Sequence, residues 1–168
     1  MVNTLVTVRT ARAADASDIA NVHDLSWREA YRGIIPGREL ERMVLRRGPR
    51  WWETAVRRGS NILVLDFDES IVGYATYGRN RAKSIPYKGE IYELYLTPEF
   101  QGLGFGRRLF RAARADLARH NCDSVVVWSL EENSRAVDFY RHLGGETLKR
   151  AMEKFGDETR DRIAFGFA

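Results

Sequence analysis

The chain has 168 residues, 44% hydrophobic and 30% charged, which suits one ordinary domain and excludes disorder beyond its ends. With no apolar run of membrane-spanning length, no basic start and apolar core of a signal peptide in Met1 to Thr10, and Cys122 as the single cysteine, a cytoplasmic protein without disulfides or a cysteine-built zinc site is expected. The formal charge of +4 equals the balance of one stretch, Arg38 to Arg58, whose seven Arg and three Glu read as a solvated helical pair or a docking surface for an acidic partner, not as a nucleic-acid-reading motif.

Leu5 to Arg9 alternates as a strand does, and Asp15 to Tyr31 places Ile19, Val22, Trp27 and Ala30 on one helical face. Glu39 to Arg46 is helical in pattern, and Pro49 at a first-turn position opens a third helix over Arg50 to Arg58, stopped by Gly59. Ile62 to Phe67 and Ile71 to Tyr77 flank Asp68-Glu69-Ser70 as the arms of an antiparallel hairpin. Arg79 to Gly89 reads as a polar, basic loop long enough to move over a site. Glu90 to Thr97 is a strand stopped by Pro98, and a helix starting at Gly104 buries Leu109, Phe110, Ala113 and Leu117. Ser124 to Trp128 is a further strand, followed by a helix from its N-cap Asn133 to Leu143 with Gly144 as the stop. Thr147 to Phe155 and Arg160 to Phe167 close the chain as a second hairpin around Gly156-Asp157-Glu158. The fold class expected is α+β, a mixed and mostly antiparallel sheet flanked by helices in a single domain over residues 1–168.

The segment Gln101-Gly102-Leu103-Gly104-Phe105-Gly106-Arg107 joins strand to helix through glycines, which permit positive φ and close backbone approach. Unpaired N–H groups and the helix dipole then favour an anion, so the turn predicts a pyrophosphate ligand. A dinucleotide fold would put such a turn after its first strand, and a nucleotide-hydrolysing P-loop would need Lys followed by Ser or Thr. Neither pattern is present here.

From Glu93 through Pro98 to Arg107 the sequence resembles the acetyl-coenzyme A signature of GCN5-related N-acetyltransferases, QxxGxG preceded by strand and proline. Asn133, Ala136, Phe139 and Tyr140 are similar to that family's next helix, and the element order matches along the whole chain. Ser26 to Gly33 also resembles the first-helix region of one large bacterial branch. The resemblance implies the GNAT acyl-CoA N-acyltransferase fold and acetyl transfer from acetyl-CoA to a primary amine, on a small molecule or a peptide, by direct attack in a ternary complex. Leu94, Tyr95, Leu96, Gln101 to Arg107, Asn133 and Tyr140 would then bind the coenzyme, with a backbone N–H of the bulged Leu94 to Leu96 strand meeting the oxyanion. Tyr140 would be the acid for the leaving thiolate. A homodimer is also implied.

An alkyl ammonium is only about one part in 2,500 neutral at pH 7, so a proton acceptor is required. Glu93 on the strand entering the turn is the first candidate base, with pairing to an Arg or holding of the substrate ammonium as the competing role. Glu90 is the reserve, and Trp128 stands where some family members carry an acid. Arg107, Arg108 and Arg111 would favour phosphates or form an exposed helix face. Trp27 and Tyr31 would line an amine pocket or belong to the core, and no acidic cluster advertises a polyamine. His23, His120 and His142 lack metal-ligand spacing, so no metal is expected. The competing function is a non-catalytic acyl-CoA sensor or partner-docking module.

Overall fold

A computed structural model describes residues 5–168. The elements follow the expected order: β1 (Val6–Thr10), α1 (Ala16–Tyr31), α2 (Gly37–Arg46), α3 (Pro49–Arg57), β2 (Ile62–Phe67), β3 (Ser70–Arg79), β4 (Gly89–Leu96), α4 (Phe105–Arg119), β5 (Val125–Leu130), α5 (Ser134–His142), β6 (Glu146–Phe155) and β7 (Glu158–Phe167). One-turn 3₁₀ segments precede α1 and follow β4. At the start of α1, Asp15 accepts from the Arg12 backbone N–H at 2.7 Å and is held by Arg9. The Asp68-Glu69 turn runs through positive φ at both residues, the twist that a two-residue hairpin connection requires.

The described strands form one seven-stranded sheet in the order β1-β2-β3-β4-β5-β7-β6, antiparallel throughout except between β4 and β5. Each face carries a helical layer, which explains the continuous apolar runs of the central strands. Leu63 and Leu65 of β2 pack with Leu109, Phe110 and Leu117 of α4 on one face. On the other face, Ile62 and Val64 pack with Ile19 and Val22 of α1 and Trp52 of α3. An added Cβ on Gly73 would lie 2.4 Å from the Leu96 side chain and 3.1 Å from that of Leu109, so glycine allows α4 to pack this closely.

Two irregularities shape the middle of the sheet. The β4–β5 ladder covers only Gly89 to Ile91 against Val125 to Val127; beyond it β4 stays with β3 while β5 follows β7, so the two strands part as a fork. In the β3–β4 ladder, Thr76 faces Glu93 and Tyr77 faces Ile91, which leaves Tyr92 as an extra, bulged residue. Ile91 therefore points into the α4 layer, yet Glu93, two residues on, reaches Tyr74 on the α1 side.

The segment between β3 and β4, expected as a loop able to move, is pinned. The Asn80 side-chain amide donates to the carbonyls of Ala82, Ile85 and Tyr87, and Ile85 is buried against Val126 and Ala164. Among the described residues, no helix is long and apolar enough to cross a membrane.

Candidate active site

Below the fork, the chain passes Pro98 and turns through Gly102 (φ 76°) and Gly104 (φ 84°) into α4, where Gly104 is the N-cap. Among the described residues no side chain caps that end, so the first N–H groups of the helix and its dipole face outward for an anion. Gln101 ties the turn at both sides: its Nε2 donates to the Leu96 carbonyl at 3.1 Å and its Oε1 accepts from Arg135 of α5. An added Cβ on Gly106 would lie 3.0 Å from Phe139, so the small residue lets α4 and α5 approach. Between them lies an open groove of about 460 Å³ lined by Arg107, Arg111, Arg114 and His142. Leu103 at the turn is exposed, whereas Phe105 stacks with Phe67 and Phe100.

Asn133 caps α5 by accepting from the Ala136 N–H, as its position predicted. About two turns later Tyr140 is buried among Phe110, Phe139 and Phe165. Its hydroxyl makes no hydrogen bond among the described residues, and burial pushes its pKa above the ordinary phenol value.

On the other side of the sheet, Glu93 is largely buried. Its carboxylate accepts from Arg47, from the Tyr74 hydroxyl at 3.0 Å and from Thr76 Oγ1 at 3.2 Å. Of the two readings of Glu93, the Arg pair is thus present in the structure. Tyr95 follows on the same face, its hydroxyl bonded to that of Tyr31 and its ring 5.7 Å from that of Trp27. Burial pushes the Tyr31 phenol up to about 12 and those of Tyr74 and Tyr95 well above their ordinary value. His23, fully buried between Trp27 and Trp52, has neither ring nitrogen hydrogen-bonded among the described residues, and burial lowers its pKa to about 3. Of the two roles expected for Trp27 and Tyr31, the structure shows core packing: Tyr31 is buried, with Trp27 and Tyr95 packed against its cluster.

Glu90 is committed elsewhere. Only 3% exposed, it accepts from the Arg81 backbone N–H at 3.0 Å and pairs with the Arg81 guanidinium, fastening the β3–β4 segment. Trp128 lies under the Arg162 guanidinium at 4.2 Å.

Residues 19–144 match the family model described as Acetyltransferase (GNAT) family. The chain belongs to the GNAT family of acetyltransferases. It is 35% identical over 144 residues, 86% of this chain and 82% of the relative, to the uncharacterized N-acetyltransferase YuaI of Bacillus subtilis. Among solved structures, the PaiA N-acetyltransferase of Thermoplasma acidophilum in complex with coenzyme A superposes with a TM-score of 0.74 at 18% identity, covering 94% of this chain and 97% of that one. YncA of Salmonella typhimurium with its cofactor acetyl-CoA gives 0.69 at 20% identity, covering 96% and 92%. Those two likenesses establish the GNAT fold.

Arg47, Tyr74 and Thr76 were not legible as site residues. The Gly48-Pro49 break between α2 and α3 is the one sequence signal that sets Arg47 apart from the solvated arginines around it.

Proposed function

We propose that this acetyltransferase moves acetyl from acetyl-CoA to a primary amine by direct attack within a ternary complex. The observation that carries the reading is the continuity of the β4–β5 fork with the uncapped, doubly left-handed glycine turn at the head of α4. The turn would hold the pyrophosphate, and the fork would admit the pantetheine arm beside Leu94, Tyr95 and Leu96, which among the described residues pair only with β3. Asn133 and the basic groove with Arg107 and Arg111 would border the same ligand.

In the reaction the amine nitrogen bonds to the acetyl carbon, the C–S bond breaks, and the coenzyme leaves as a thiolate that takes up a proton. Backbone N–H groups between Leu94 and Leu96 would face the oxyanion. Tyr140, with an uncommitted hydroxyl and a raised pKa, would supply the proton to sulfur. With its carboxylate already engaged by Arg47, Tyr74 and Thr76, Glu93 acts first by drawing the acceptor's ammonium to the fork and then passes the proton on through water. Cys122 has no part in this scheme.

Thiol release from acetyl-CoA over a panel of amines and peptides, with products identified by mass spectrometry, tests the reading. Intersecting initial-rate patterns and undiminished activity of Cys122→Ala are expected. Parallel ping-pong patterns would overturn direct attack, and coenzyme binding with no transfer to any amine would mark a sensor.

A further inference from the structure

We infer that Arg47 is a carboxylate receptor and that the acceptor carries a carboxylate close to its amine, as an α-amino acid does; this rests on the acetyl-transfer reading above.

Arg47 differs from the other arginines of the α2–α3 region in how firmly it is held. Its guanidinium lies 4.5 Å from the Trp51 ring centroid, 5.8 Å from that of Trp27 and 5.9 Å from that of Trp52. One nitrogen, Nη1, donates to Glu93. The backbone is fixed as well, because the Arg47 carbonyl accepts from Trp52 Nε1 at 3.1 Å. Much of the rotamer entropy that an arginine surrenders on binding a ligand is thus lost already on folding.

A guanidinium has five N–H donors in a planar fork. Among the described residues, Glu93 is the only side-chain acceptor for this one, and the Arg47 side chain keeps 28% exposure. Donors therefore remain available at the wall of the amine compartment, on a group whose shape matches a carboxylate bidentately.

The charge balance points the same way. Glu93 and Arg47 together are neutral, His23 beside them is buried as the neutral imidazole, and Tyr31, Tyr74 and Tyr95 keep their protons. The compartment thus presents a negative group and a positive group side by side with no surplus of either. A polyamine would bring several positive charges to one carboxylate that is already paired. A zwitterion complements both ends: its ammonium meets Glu93 while its carboxylate meets Arg47.

The test uses the full-length enzyme with acetyl-CoA and matched pairs of an amino acid and its decarboxylation product, such as phenylalanine with phenethylamine and lysine with cadaverine. The wild type should favour the amino acid in kcat/KM by about tenfold or more, the range of a charge-assisted hydrogen bond. Arg47→Lys keeps the positive charge beside Glu93 but loses the fork, and should erase most of that preference through KM of the amino acid alone. A wild type that treats both members alike, or favours the amine, overturns the inference without recourse to a variant. So does Arg47→Lys slowing both members equally, which would make Arg47 a strut between α2 and β4. Transfer confined to peptide amines would overturn the inference and leave acetyl transfer standing, whereas absence of thiol release with every amine would overturn acetyl transfer itself.

Discussion

Tyr140 is packed as a core residue is, yet among the described residues its hydroxyl has no hydrogen-bond partner. Removing the oxygen therefore leaves no acceptor or donor stranded, and Tyr140→Phe should change unfolding free energy by less than about 1 kcal/mol. A thiol with a pKa near 8.5 is already a tolerable leaving group, so kcat should fall by roughly tenfold or more while KM for acetyl-CoA stays within about twofold. Steady-state kinetics beside a urea melt checks both halves, and a pure loss of coenzyme affinity would assign Tyr140 to packing. Glu93 presents the opposite case, since its three donors all lose a charge-assisted bond in Glu93→Gln. That variant should lose kcat/KM by about a hundredfold, most steeply at low pH where the amine is scarcely ever neutral. A pH–rate profile displaced evenly at every pH would leave Glu93 with an electrostatic role alone.

At the scale of elements, the glycine turn is held by conformation and not by crowding. Gly104 has φ 84° and open space where a Cβ would go. Gly104→Ala should therefore cost only the left-handed strain, about 1–2 kcal/mol, while tilting the first N–H groups of α4 and raising KM for acetyl-CoA several-fold. Thermal melts with and without coenzyme separate those two effects. The turn was legible because it is local: strand, glycines and helix lie within one short stretch of chain. Element types and order were legible for the same reason, since periods of 2 and 3.6 are written in neighbouring residues. The fork was not, because the partner of β4 lies more than thirty residues away and only tertiary packing decides where the ladder ends. Nor was the bulge at Tyr92, which turns Glu93 from the α4 face to the α1 face against the alternation that Ile91 sets. Arg47 was hidden by its surroundings, one arginine among seven in a stretch whose composition reads as solvated surface. The position of β7 between β5 and β6 was equally unreadable, because a terminal hairpin can add to a sheet by either arm.

Across the whole molecule, the layer of α1 and α3 is joined to the sheet around one buried imidazole. His23 is in ring contact with Trp27, Trp52 and Tyr74, and among the described residues neither of its nitrogens has a hydrogen-bond partner. Burial, reinforced by the nearby Arg47 charge, lowers its pKa from 6.5 to about 3. Below the unfolded-state value of about 6.5, the unfolded chain binds a proton at this site that the native protein refuses, so stability falls as pH falls. The loss begins near pH 6.5, reaches about 2 kcal/mol by pH 5, and continues until the native group itself titrates. Asp15, held below the usual carboxylate range by its hydrogen bonds to Arg9, adds a loss of the same sign only at lower pH, where unfolded carboxylates protonate. His23→Phe keeps a ring in the aromatic cluster and removes the site of protonation. Urea unfolding of wild type and His23→Phe at pH 7 and pH 5 should show the wild type losing about 2 kcal/mol more than the variant between the two conditions. Equal losses would mean that His23 takes up its proton in the native protein, with the aromatic layer opening to admit water.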